Sequence, residues 1–327
     1  MTEGTTAANP TPGTLRIVDD ATAGQLLDLG AAFAAILDAY RQSAETEVLS
    51  TPPALIMHHD ATGMKAKGAL LPATNRAGFR LVADHDSPGG EVSHDWQWVA
   101  DLATGRPVGL VEMLTLHAVR TALTGVAALD TLHGAPGVVA IIGAGRIARW
   151  LVAPLRERGW TIRVAASRPE RAAAFAAKYE VMATPGVDEA VADADAVIAI
   201  SSAPSPVVMA RHLRPGMTVI GMGGGHEFDR GILDGADRFV VDDFAFACVV
   251  GSVAGWLGAG AARADIAARL DAALGQVIAG RQPGRRNSGE AVLAIVQGMA
   301  CCDLAIASFI LARAEALGLG RTVMLES

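Results

Sequence analysis

The 327-residue sequence has few cysteines, few aromatic residues and no excess of positive charge. Its three cysteines, at 248, 301 and 302, show no spacing pattern. An odd count of this kind excludes a disulfide framework. Cys301 and Cys302 are adjacent, so on a helix they point in different directions and do not form a metal site. No metal is expected. The 27 Lys and Arg residues are outnumbered by 34 Asp and Glu, for a formal net charge of -7. A duplex nucleic-acid binder carries a basic excess or a dense basic stripe, and an anionic membrane surface selects for the same. Neither partner is expected. A small anionic substrate stays possible, since a site needs only one or two local cations.

The first residues, MTEGTTAANPTPG, lack the basic region and apolar run of a secretory signal. Residues 1–13 are expected to be a flexible tail, and the protein to be cytoplasmic. One stretch, Phe244 to Ala262, carries no charge and approaches the length of a membrane span. It is rich in Gly and Ala, has no flanking positive cluster and stands alone. The expectation is a buried or mobile segment near an active site.

What is abundant is apolar residue, 51% of the chain, with 36 glycines. That composition fills two cores, and the length suggests two domains. LRIVD near Leu15 reads as a strand. From Ala21 to about Ala44 apolar residues recur at helical spacing, with Asp20 or Thr22 as the cap. PALIMH, FRLVADHD and two stretches flanking the ATGRP turn read as strands of a largely antiparallel sheet. LTLHAVRTALTGVAALDTL reads as one helix. From Val138 strands and helices alternate: VVAIIG, ARWLVAPLRERG, TIRVAAS, PERAAAFAAKY, then AVIAISS, MTVIGM and RFVVDD. This pattern predicts a parallel sheet with helices on both faces. The segment from Glu290 to Gly320 reads as one or two long helices.

Gly143-Ala144-Gly145-Arg146-Ile147-Ala148 follows the VVAII strand and opens a helix. This is the GxGxxA variant of the dinucleotide fingerprint. The first Gly makes the tight turn, the second admits a pyrophosphate, and Ala148 permits close helix–strand packing. The helix N-terminus offers N–H groups to phosphate. Gly143, Ala144, Gly145, Arg146 and Ile147 are therefore cofactor candidates, as is Ser201 at the end of AVIAISS. An acid at the end of the second strand would accept from an NAD ribose. Ser167-Arg168 stands there instead, and a hydroxyl beside a guanidinium suits a 2'-phosphate. NADP(H) is favoured, with NAD(H) open.

With MKAKGALLPATNRAG at 64–78, DLATGRPVGLVEMLTLHAVRTA at 101–122 and VVAIIGAGRIA at 138–148, the sequence resembles the ornithine cyclodeaminase and mu-crystallin family. GMTVIGMGGGHEFD at 216–229, VVDD at 240–243 and VQGMACCDLA at 296–305 extend the likeness over most of the chain. The resemblance implies an α/β fold, a Rossmann-type NAD(P)-binding domain inserted into an α+β substrate and dimerisation domain. The expected boundaries are 14–128 plus about 305–327 for the latter and 129–304 for the former. It implies a homodimer and a small carboxylate-bearing imine or amino acid as substrate. By spacing, the substrate-binding Lys corresponds to Lys67, with Lys65 a near alternative, and the Arg to Arg120. Arg120 lies on an otherwise apolar helix, so it needs a ligand carboxylate or an internal acid such as Glu112. Asp303 aligns with a recurrent Asp near the nicotinamide, and a packed helix acid is its other reading. His117 shares the Arg120 helix face.

Two departures qualify the likeness. The stretch before the Lys, VLSTPPALIMHH, lacks an Arg that the family commonly has, so either the substrate is smaller or His58, His59 or Lys65 binds part of it. The loop MGGGHEFD lacks the Asp that a cyclodeaminase carries before its Glu. Glu227 reads as structural, tying the loop to a helix start. His226 is the candidate for proton transfer, because histidine as a residue type exchanges protons near neutrality. The expected activity is NAD(P)H-dependent reduction of a 2-imino acid. The alternatives are an amino-acid dehydrogenase of the alanine dehydrogenase type, a cyclodeaminase, and a non-catalytic NADP(H)- or small-ligand-binding protein.

Overall fold

Period-two patterning between Thr62 and Asp101 builds the longest strands of the protein. The computed structural model describes residues 13–45, 55–87 and 90–325. The chain forms two units. One comprises the residues through Arg120 together with those from Met299, and the other is Thr121–Gly298. The seams therefore fall inside the helix Leu114–Leu132 and just before the helix Ala300–Ala316, not at 128/129 and 304/305.

The first unit holds β1 (Thr14–Val18), β2 (Leu55–His59), β3 (Thr62–Leu71), β4 (Arg76–Ser87), β5 (Gly90–Asp101) and β6 (Pro107–Glu112). With the strand Arg321–Met324 at one edge, the sheet runs in the order β1-β6-β5-β4-β3-β2. β1 is parallel to β6, and every other pair is antiparallel. The helix Ala300–Ala316 packs on β3, β4 and β5 and on the helix Leu29–Glu45.

The single helix expected over 21–44 is two helices, Asp20–Leu26 and Leu29–Glu45. Leu27 turns extended, and the Asp28 carboxylate accepts from the Ala31 N–H at 3.0 Å, starting a new N-terminus. The cap of the first helix is Asp19, which accepts from the Thr22 N–H at 2.8 Å. Asp20 instead accepts from the Thr115 N–H and hydroxyl, at the start of the helix Leu114–Leu132.

The second unit holds β7 (Val138–Ile142), β8 (Thr161–Ala165), β9 (Met182–Ala183), β10 (Ala196–Ala199), β11 (Thr218–Gly221), β12 (Arg238–Val241), β13 (Ala272–Ala273) and β14 (Val292–Ile295). All are parallel, in the order β13-β12-β14-β11-β10-β7-β8-β9. The chain winds outward from β7 through β8 to β9, then returns to place β10 on the other side of β7. That reversal opens a crevice at the carboxyl ends of β7 and β10.

β14 overturns the reading of 290–320 as helix only. Val292–Ile295 is buried at every position in the middle of the sheet. A strand covered on both faces has no period-two signature, so its apolar run passes for helix. The uncharged stretch from Phe244 forms two short helices, Phe244–Ala247 and Gly251–Gly258. Val253 and Trp256 enter the core, and the indole N–H of Trp256 donates to the Phe228 carbonyl at 2.9 Å. Among the described residues no helix is long and apolar enough to cross a membrane.

Candidate active site

In the first unit, charged side chains converge beneath the helix Ala300–Ala316. Asp303, in the first turn of that helix, is fully buried. One of its oxygens accepts from Arg120 Nε at 2.5 Å. Arg120 is 1% exposed, near the middle of an apolar helix. The internal acid that Arg120 meets is thus Asp303, not Glu112, which accepts from the Asp20 N–H at 2.9 Å. Burial pushes the Asp303 carboxyl up, but Arg120, Arg80 and Lys67 outweigh it and hold the group below the ordinary carboxylate range. Asp303 is therefore an anion at neutral pH and an acceptor, not a proton donor.

Lys67 lies on β3, half-buried, opposite Arg80 on β4. Its charge is felt by Asp303. Lys65, two residues earlier, is exposed and pairs with Asp84 at 3.0 Å. Lys67 thus belongs to the buried cluster, and Lys65 to a surface pair. His59 pairs with Asp60 at 3.5 Å on the surface. Most of the arginine-free stretch, residues 48–54, lies outside the described residues.

The second unit carries the nucleotide candidates at the carboxyl edge of its sheet. Gly143 adopts φ 123, and a Cβ there would stand 2.4 Å from the Ile200 carbonyl oxygen. Any side chain would break the turn, by conformation and by contact with the end of β10. Gly145 faces open space, and Ala148 is buried at the start of the helix Ala148–Glu157. Ala144, Arg146 and Ile147 complete the turn, with Ile147 immediately before the helix. Ser167 and Arg168 are exposed after β8, and Arg168 precedes the helix Pro169–Tyr179.

Ser201 follows β10, and its N–H donates to the Glu227 carboxylate at 2.6 Å. The second Glu227 oxygen accepts from the Gly223 N–H at 2.9 Å. Glu227 therefore ties the ends of β10 and β11 together, and does not tie the loop to a helix start. Burial drives its carboxyl up to about 7, against the pull of the Ser201 and Gly223 N–H groups. Asp242, at the end of β12, bridges in the same way to the Gln297 and Gly298 N–H groups after β14. Its carboxyl is raised to about 6, by burial first and then by neighbouring Asp243.

The glycine run before Glu227 has a steric cause. A Cβ on Gly223 would stand 2.1 Å from the Ser201 carbonyl oxygen, and one on Gly225 2.4 Å from that of Ala203. Gly224 has only Val250 at 3.7 Å. His226 is exposed, its N–H donates to the Ala203 carbonyl at 2.8 Å, and its ring lies over Gly255.

Lys67, Arg120 and Asp303 thus belong to one unit, and His226 with the nucleotide candidates to the other. Arg80 and Asp95 escaped the sequence reading. The alternation of Phe79, Arg80 and Leu81 suggests that the apolar pair turns inward. The structure reverses this: Phe79 and Leu81 are 47% and 49% exposed, and Arg80 is buried. Asp242 was hidden in the pair Asp242-Asp243, which reads as the polar end of a strand.

A doubly wound parallel sheet with a glycine turn at its switch point, inserted into an α+β unit, defines a Rossmann-type two-unit architecture. The chain belongs to the Ornithine cyclodeaminase/mu-crystallin family, whose sequence model matches residues 17–317. It is 26% identical over 284 residues to a Delta(1)-pyrroline-2-carboxylate reductase of Bacillus thuringiensis subsp. konkukian (strain 97-27), covering 83% of this chain and 84% of that one. Its fold is similar to that of an archaeal alanine dehydrogenase dimer with bound NAD, with a TM-score of 0.86, 23% identity, and coverage of 96% of this chain and 100% of the other. It is also similar to Thermococcus litoralis Delta(1)-pyrroline-2-carboxylate reductase in complex with NADH and L-proline. There the TM-score is 0.82 at 20% identity, over 94% of this chain and 100% of that one.

Proposed function

We propose that this protein is a nicotinamide-dependent reductase of a small 2-imino acid, yielding the amino acid. The carrying observation is Arg120, buried in an apolar helix, held by Asp303 and accompanied by Lys67. Two cations arranged around a fixed carboxylate suit the carboxylate of a small substrate. The family and the 26%-identical reductase supply the reaction class.

In this reading Lys67 and Arg120 bind the substrate carboxylate and orient its Cα. Asp303 orients Arg120. The turn Gly143–Ile147 and the N–H groups of its helix hold the pyrophosphate, in the open space left at Gly145. When bound, the nicotinamide supplies the hydride. A protonated imine is already electrophilic, so the residues need not deliver a strong acid to the reacting carbon. His226 is the group assigned to proton transfer at the loop. Cyclodeamination is disfavoured because Met222 to Gly225 offers no base, and because Gly223 and Gly225 have no room for one. Ser167 and Arg168, exposed directly after β8 where an acid would suit an NAD ribose, favour NADPH over NADH.

The outer face of the first unit's sheet supports a homodimer. Met57, Met64, Leu70, Phe79, Leu81 and Val92 are exposed on it, a contiguous apolar surface of the kind a partner covers. Three free thiols fit a reducing cytoplasm.

The test follows NADPH and NADH oxidation with pyrroline-2-carboxylate and piperideine-2-carboxylate, and ammonia release from ornithine, on one preparation. Imine reduction without ammonia is expected. Ammonia release with inert imines overturns the reading. Cofactor binding with no turnover of any imine or 2-oxo acid plus amine assigns the chain to the non-catalytic class instead.

A further inference from the structure

Arg80 sits at the centre of the buried cluster. It lies on β4, in register with Lys67 on β3, and is 5% exposed. Its Nε donates to one oxygen of Asp95 at 2.8 Å and its Nη2 to the other at 2.5 Å. This paired contact fixes the plane of the guanidinium, because rotation would break both bonds together. The third nitrogen, Nη1, then lies 3.4 Å from each oxygen of Asp303. Asp303 in turn accepts from Arg120. Four side chains, Asp95, Arg80, Asp303 and Arg120, thus form one line of alternating charge from β5 through β4 to the two helices.

A buried carboxylate that meets a single cation can swing about its own Cβ–Cγ bond. Arg80 removes that freedom, since it spans both Asp303 oxygens from the side of the sheet. Its own place is set by Asp95, whose backbone carbonyl accepts from the Met113 N–H at 2.7 Å. The sheet is thereby linked through Arg80 to the guanidinium that faces the substrate in the proposed function. We propose that Arg80 is a positioning residue: clamped by Asp95, it fixes the Asp303 carboxylate that presents Arg120 to the substrate carboxylate. The inference rests on the assignment of Arg120 as a carboxylate-binding group. It extends that assignment to a residue that reaches Arg120 only through Asp303, and predicts that β4 and β5 set substrate affinity.

The experiment compares R80M, R80K and D95N with the wild-type protein. Methionine keeps much of the volume and removes the charge; lysine keeps the charge and loses the paired contact. If Arg80 positions Arg120, R80M raises KM for the imine about tenfold or more, with a smaller change in kcat and an unchanged KM for the cofactor. D95N moves in the same direction, and R80K recovers part of the loss. A purely structural ion pair would lower the melting temperature and leave the KM of the folded fraction unchanged. That result overturns the proposal; should R80M fail to fold, unchanged KM in D95N and R80K overturns it equally. Calorimetric binding of pyrrole-2-carboxylate, a flat ring carboxylate, separates this inference from the proposed reaction. A wild-type protein that turns over no imine yet binds this probe, with about tenfold weaker binding in R80M, sinks the reaction and supports the positioning role. No binding and no turnover by the wild type overturns both.

Discussion

Replacing Glu227 by Gln should remove a pH dependence that the fold imposes on its own stability. Glu227 is fully buried at the carboxyl edge of the parallel sheet, with its two oxygens on the Ser201 and Gly223 N–H groups. Burial raises its carboxyl from the ordinary 4.5 to about 7. The folded state therefore binds this proton more tightly than the unfolded state does. Its stabilising contribution is complete below the unfolded value and is lost as pH rises through about 7. At about 1.4 kcal/mol per pH unit, the gap corresponds to about 3 kcal/mol, of which about 2.5 falls between about pH 5 and about pH 8. Asp242, raised to about 6, acts in the same sense. His133, lowered by burial and then by Arg285, acts in the opposite sense below its ordinary value of 6.5. Both contributions cancel in the difference between wild type and E227Q. Asp303, Asp84 and Asp101, held below their ordinary value, act only under about pH 4.

The assay is urea unfolding of both proteins by tryptophan fluorescence across this range. The glutamine loses one acceptor for an N–H, which displaces the difference curve by a constant. The slope is the signal: the wild-type advantage should shrink by about 2–3 kcal/mol from about pH 5 to about pH 8. A difference curve flat across that window would refute the assignment of a neutral, buried Glu227 at acidic pH.

Other outcomes follow from the same geometry. Gly223→Ala and Gly225→Ala should each destabilise the protein by about 1–3 kcal/mol in denaturant unfolding, while Gly224→Ala stays within about 0.5, because Cβ atoms at 223 and 225 meet backbone oxygens and one at 224 does not; equal effects at the three positions would contradict the packing. Arg168→Ala should weaken NADPH by about 1–3 kcal/mol in a direct binding titration and leave NADH nearly unchanged, and equal losses would remove the 2'-phosphate role. Arg120→Ala should reduce imine turnover severely and lower stability by about 3–5 kcal/mol, since Asp303 keeps its burial but loses a partner; a fully active variant would move the substrate site elsewhere. Phe79→Asp with Leu81→Asp should shift the light-scattering mass from dimer to monomer, and a wild-type protein that is monomeric at micromolar concentration would refute the dimer.

What the sequence determined by itself was whatever is encoded locally. The helix Leu114–Leu132 coincides with its apolar periodicity, and the strand–glycine–helix motif at 138–148 folds as its turn chemistry requires, because the positive φ at Gly143 is a backbone conformation that glycine adopts freely. The alternation of strand and helix after Val138 announced the parallel sheet. One local signal was passed over: the helix at 21–44 breaks at Asp28, whose side chain caps a new N-terminus by accepting from the N–H three residues on. Tertiary structure decided the rest. β14 became a strand because neighbours cover it on both faces, a fact that its own four apolar residues do not carry. The charged cluster was legible only in part. Lys67, Arg120 and Asp303 were named from resemblance, while Arg80 and Asp95 were missed because the alternation in β4 assigns its apolar side chains to the core. The sheet instead turns its charges toward the helix Ala300–Ala316 and leaves Phe79 and Leu81 exposed. Strand periodicity shows that two faces differ, but which face is covered depends on elements that lie more than a hundred residues away in the chain.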